Sequence, residues 1–204
     1  MKRIALLLIS VLALTTMLSA QDLNSPKVKS QIQIRATQKV DQLNSNISSM
    51  ADKDYNRDER MYFAKAAKKL FIANCEDFYD YEARKNVKGV TMEVTSRYRK
   101  SVNKILMRNY FTHMVDLKYT DVEITSSDIA SMKVSNPQRI SENTFVCTVQ
   151  FDQAFVGYRD GRAVYKDITT KRVKCYIDIE RTEAGDEYIV RLGNTSAIAT
   201  KPYN

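Results

Sequence analysis

The sequence predicts an α+β protein, helices first and strands after, and three observations carry that prediction. From Lys27 to Lys88 there is neither glycine nor proline, and the apolar residues recur at helical spacing. From Val90 onward the period shortens to two, in runs rich in β-branched and aromatic residues. Between the later runs stand turn formers: Asn136 with Pro137, Asp160 with Gly161, and Ala184 with Gly185. With 204 residues, and about 150 per domain, one globular domain is expected.

The elements follow in order. Pro26 after Ser25 suits the first turn of a helix, and Ala36, Val40, Leu43, Ile47 and Met50 alternate in steps of four and three to make one apolar stripe. That stripe could pack on a sheet or form part of a dimer seam. The polar stretch from Ala51 to Asn56 ends the helix. Asn56 with Glu59 reads as a capping box, and Phe63, Ala67, Leu70 and Phe71 stripe a second helix whose lysines, Lys65, Lys68 and Lys69, stand off the stripe. Thr91 to Ser96 and Val102 to Leu106 then read as a short hairpin. Met107, Tyr110, Phe111 and Met114 define a third helix, with His113 at the margin of its buried face. Four strands complete the chain, near Tyr119 to Val134, Thr144 to Tyr158, Ala163 to Ile179 and Glu187 to Ile198, for an order ααββαββββ.

Two of these strands can be read face by face. Phe145, Cys147, Val149, Phe151, Gln153 and Phe155 share one side of theirs, and Tyr165, Asp167, Thr169, Lys171, Val173, Cys175 and Ile177 share one side of the next. Placing both sets on the core face requires an odd loop or a bulge. A three-residue loop of Arg159, Asp160 and Gly161 satisfies this, and sets Cys147 opposite Val173 and diagonal to Cys175, too far for an easy disulfide.

The order of elements resembles the nuclear transport factor 2-like cone, the fold of ketosteroid isomerase and of many small exported binding proteins. Locally, Tyr110 and Phe111, Val122 to Ile124, and Phe151, Gln153, Phe155, Gly157, Asp160, Gly161, Tyr165, Asp167, Thr169 and Lys171 resemble an uncharacterised family of exported bacterial proteins. The resemblance implies a curved antiparallel sheet, with the N-terminal helices packed on it, wrapping the third helix around a pocket. It implies no reaction. Gln153, Tyr165 and Asp167 are then polar groups on an inward face, which need partners when buried. Either they satisfy one another or they are the convergent polar groups of an apolar pocket, with Tyr110 and Phe155 beside them as ligand-binding candidates. Asp167 as a carboxylate base, with Tyr165 or Gln153 as donors, is the enzymatic alternative, an isomerase or hydro-lyase. Against it, Asp167 can pair with Lys171 along the same face. A pocket filled by Phe111, Phe151 and Phe155 would speak for a scaffold instead.

Composition narrows the chemistry. One histidine and three scattered cysteines offer no metal-ligand spacing, so no metal is expected. The five glycines match neither a Walker loop nor a dinucleotide turn, and no cofactor is expected. No G-x-S-x-G accompanies His113, and no catalytic residue is assigned. Lys2 and Arg3 before the apolar run Ile4 to Leu18, followed by Ser19 and Ala20, read as a cleaved leader over residues 1–20, with the domain over residues 21–204. An export leader places the protein in the periplasm or outside the cell. The run is short of the roughly 20 residues that span a bilayer, so no membrane span is expected.

The formal net charge of +8 is concentrated where Arg97, Arg99, Lys100, Lys104 and Arg108 gather with no acid between Glu93 and Asp116. For an exported chain this suits an anionic envelope glycolipid or an acidic protein better than nucleic acid. The simpler reading is a solvated face. Together these residues describe a non-enzymatic envelope protein that binds a small apolar ligand or a protein partner, with a homodimer as one arrangement.

Overall fold

A computed structural model describes residues 24–80, 83–98 and 101–203 of the chain. The leader assigned to residues 1–20, and Arg99 and Lys100 of the basic cluster, lie outside these residues. Helix α1 runs Pro26–Ala51, with the Ser25 side chain accepting from the Val28 amide and proline in its first turn. Helix α2 spans Arg57–Lys68 behind the full Asn56–Glu59 capping box. The stripe of α1 is sealed: Val28, Ile32, Ala36, Val40, Leu43, Ile47 and Met50 are buried within the chain, against α2, α3 (Met107–Val115) and the sheet. The stripe is therefore internal packing and is not available as a dimer seam.

The strands are β1 (Phe78–Asp80), β2 (Lys85–Val87), β3 (Thr91–Val94), β4 (Asn103–Leu106), β5 (Asp121–Ser126), β6 (Lys133–Val134), β7 (Gln138–Arg139), β8 (Thr144–Arg159), β9 (Arg162–Thr182) and β10 (Gly185–Pro202). The main sheet has the order β4-β3-β10-β9-β8-β5, with β6 and β7 also on β8. It is open and curved, an α+β architecture with the helices packed on one mixed sheet. Bulges at Gly157/Tyr158, Leu192/Thr195 and Ala197/Ala199 bend its long strands around the helices. Among the described residues no helix is long and apolar enough to cross a membrane.

The structure departs from the sequence reading in four places. Residues 72–80 and 83–88 do not continue α2: a short 3-10 turn at Ile72–Cys75 takes positive φ at Ala73, Asn74 and Cys75, and β1 pairs with β2 as a small separate hairpin. The apolar stripe ends at Phe71, so a longer helix would have had nothing to bury. The predicted strand from Tyr119 to Val134 stops at Ser126, because Ser127 turns to bond the Asp152 carbonyl through both its amide and its hydroxyl. The sheet is mixed, since β3 runs parallel to β10 at Met92 and Thr195, where the Asn194 side chain accepts from the Thr91 amide at 2.9 Å. The β8–β9 loop has two residues, Asp160 and Gly161, both with positive φ. A bulge at exposed Val164 restores the common inward face. Compared with a three-residue loop, the partner of each β8 residue moves two positions along β9.

Candidate functional site

A cavity of about 380 Å³ lies between α3, β3 and the inward face of β8 and β9. Gln153, Tyr165, Asp167, Tyr110 and Phe155 all line it, together with Lys171 and Thr169. Phe111 and Phe151 are buried in the core, and the cavity stays open beside them. Alternation along β9 delivers Tyr165, Asp167, Thr169 and Lys171 in a row to this face, and β8 delivers Gln153 and Phe155 opposite.

The polar groups divide into two sets. At the floor the Lys171 ammonium, on a residue only 8 % exposed, donates to Gln153 Oε1 at 2.6 Å and to the Tyr110 hydroxyl at 3.4 Å. Gln153 Nε2 in turn donates to Ser126 Oγ at 3.2 Å, which holds the amide with its oxygen toward Lys171. Two of the three ammonium protons are thus directed at protein acceptors, and among the described residues the third has none. Among the described residues the Tyr110 hydroxyl has no acceptor for its own proton.

Toward the mouth, the Tyr165 hydroxyl donates to Asp167 Oδ2 and accepts from the Arg97 amide at 3.3 Å. Burial pushes the Asp167 carboxyl above its usual range, with the Tyr165 hydroxyl and the Lys171 and Arg97 charges pulling the other way. Burial, and then the bond to Asp167, also raise the Tyr165 phenol. Asp167 and Lys171 do not form an ion pair, since four residues along one strand separate their Cα atoms by about 13 Å. The register instead gives Lys171 another acceptor: Gln153 stands opposite Thr169 and diagonal to Lys171, while Asp167 stands opposite Phe155.

The wall is aromatic. Tyr165, Phe155 and Tyr119 follow one another edge to face, with centroids 5.8 and 5.7 Å apart, beside Leu117, Met114 and Val94, and exposed Tyr98 packs edge to face on Tyr165 from outside the lining. Gly157 makes this wall fit, since a Cβ there would stand 2.7 Å from the Tyr119 ring.

Of the basic cluster, Arg97, Lys104 and Arg108 fall among the described residues, and each has its own partner. Arg108 is held by Glu76 at 3.3 Å and Asp77 at 3.7 Å, and also donates to the Cys75 carbonyl. Arg97 lies over the rings of Tyr98 and Tyr165 at the cavity mouth, and exposed Lys104 sits across β3–β4 from Glu93. His113 is exposed on α3, away from the cavity lining. The structure adds Lys171 and Tyr119 to the site residues that the sequence alone singles out. Lys171 was marked by its inward position on β9, where a lysine is out of place without a function or a buried acceptor. Tyr119 stands at the start of a strand reading, where alternation alone does not mark a site residue.

No family model matches the chain, and no curated protein does. Among solved structures it is similar to a scytalone dehydratase-like protein from Novosphingobium aromaticivorans, at 8 % identity and a TM-score of 0.39 over 86 % of this chain and 92 % of that one. It is also similar to the Kfla4162 protein from Kribbella flavida, at 9 % identity and a TM-score of 0.37 over 87 % and 95 %. A third is the hexachlorocyclohexane dehydrochlorinase LinA-type3 from Novosphingobium barchaimii, at 9 % identity and a TM-score of 0.35 over 85 % and 94 %. Likenesses this distant say nothing about chemistry in this chain.

Proposed function

We propose that the protein is an exported binding protein that holds one small, largely apolar molecule in the cavity between α3 and the curved sheet. The guest carries an oxygen that accepts hydrogen bonds. The observation behind this reading is Lys171, a buried ammonium at the floor of an aromatic-walled cavity with a proton to spare beside the Tyr110 hydroxyl. A buried cation is costly unless its hydrogen bonds are completed. A volume of about 380 Å³ falls at the lower end of the range of roughly 300–1,000 Å³ typical of small-ligand sites. The test is native mass spectrometry of the mature protein purified from its own envelope, beside a Gln153→Leu, Asp167→Asn double variant of equal thermal stability. A small molecule retained by the native protein and lost by the variant supports the reading. An empty protein in both overturns it.

A second reading, proton transfer by an isomerase or hydro-lyase, is favoured by the raised Asp167 carboxyl facing the donors of the floor across one cavity. Asp167 would take a proton from carbon beside a carbonyl, and Lys171 and Tyr110 would hold the developing oxyanion. Incorporation of deuterium from heavy water into the retained molecule, abolished by Asp167→Asn, would support it; a molecule bound without exchange would not. The surface-binding reading has less support, because Arg108 is committed to two carboxylates and Arg97 to aromatic faces.

A further inference from the structure

The same bulge that sets the cavity also brings two cysteines together. Cys147 of β8 and Cys175 of β9 are direct register partners, both on the core face and both buried, at 2 % and 0 % exposure. The Ile179 amide donates to the Asn143 carbonyl at 2.9 Å, so that pair occupies a hydrogen-bonded position of the ladder. Four unbroken steps along the same register, Cys147 and Cys175 occupy another. Directly opposed Cα atoms at such positions are about 5.5 Å apart. Bridged cysteines most often show about 5.5–6 Å. Both are thiols in this structure, and the hydrogen bond with Cys147, together with burial, pushes the Cys175 thiol well up.

We propose that Cys147 and Cys175 form a cross-strand disulfide when the chain folds in the presence of a disulfide oxidant. In the step, a thiolate of one cysteine attacks the oxidant's disulfide and releases one reduced thiol. The second cysteine then attacks the mixed disulfide, closes the Cys147–Cys175 bond and releases the other reduced thiol. The protein loses two protons and two electrons, and the oxidant gains them. Burial confines the reaction to folding, before β8 and β9 close over the pair. Cys75 is left out of it: burial pushes its thiol up to about 12, and it sits before β1, on neither long strand.

The mature chain, reduced and unfolded in urea, is refolded in a mixture of reduced and oxidised glutathione, then alkylated, digested and mapped. Before alkylation the refolded chain is expected to be about 2 Da lighter than the reduced chain, and after it to carry one alkyl group, at Cys75, with a linked peptide pair carrying Cys147 and Cys175. Its thermal midpoint lies about 5–10 °C above that of the same chain with reductant. A Cys147→Ser, Cys175→Ser variant shows no such reductant-dependent shift. Three free thiols, stable glutathione adducts, or a bridge to Cys75 would each overturn the proposal, and the thiol count on the natural chain decides even if the variant does not fold.

Discussion

Lys171 and Asp167 sit on one strand face four residues apart, yet their environments set them different tasks. Replacing Lys171 by Met should weaken guest retention about 10- to 100-fold, since a hydrogen bond to a charged group contributes about 1.5–3 kcal/mol. It also strands Gln153 Oε1 in the interior. The double variant Lys171→Met, Gln153→Leu should therefore be more stable to urea than Lys171→Met alone, because the unpaired acceptor is gone. Asp167 gives a pH dependence of definite sign. Its folded-state value is raised above the ordinary 3.8, so the folded state prefers the protonated carboxyl. The contribution to stability is complete below that ordinary value and is lost as pH rises through the folded value. Urea titrations in acid and at neutrality should show Asp167→Asn gaining on the native protein as pH increases; a pH-independent difference would refute the assignment.

At the scale of elements, the β8–β9 hairpin determines the site. Its two-residue loop, Asp160 and Gly161, and the bulge at Val164 together put Gln153 within reach of Lys171 and Cys147 opposite Cys175. Alternation in the sequence identified the inward face of both strands, and that reading holds because the period of two survives any even shift. The partner of each residue was not legible, since a three-residue loop and a two-residue loop with a bulge satisfy the same parity. Gly157 connects the hairpin to the aromatic wall. Gly157→Ala should displace the Tyr119 ring, lower stability by about 1–3 kcal/mol as an overpacked site does, and loosen guest binding. Unfolding and native mass spectrometry on this single variant read both effects. Among the helices, loss of the α2 cap in Asn56→Ala should cost about 1 kcal/mol without touching the cavity.

Across the whole molecule, α1 is the mast on which the sheet is stepped. It packs against α2, α3, β5, β8, β9 and β10, and its stripe is closed off from solvent. Ile47→Ala should cost about 2–5 kcal/mol in urea unfolding, the usual result of emptying a sealed aliphatic position. A cost under about 1 kcal/mol would mean the helix is less firmly docked than its burial indicates. The long strands provide the complementary half of the core, with Phe145, Val149, Val173, Ile177 and Leu192 beneath the helices. The cavity is the part of that interface toward the β8–β9 turn, where side chains of the inward face change from aliphatic to polar.

Local pattern by itself determined the helix stripes, the Asn56–Glu59 box, the third helix, the long strands and the inward faces that hold Gln153, Tyr165 and Asp167. Each of these depends on periodicity or on residues within a few positions of one another, which a linear chain displays. Tertiary structure alone decided that α1 packs inward, that β3 runs parallel to β10, and that Lys171 bonds Gln153 and not Asp167. It alone decided that Cys147 meets Cys175. These depend on register between strands and on which surfaces meet, and one unpaired residue at Val164 resets them while leaving the alternation of each strand unchanged.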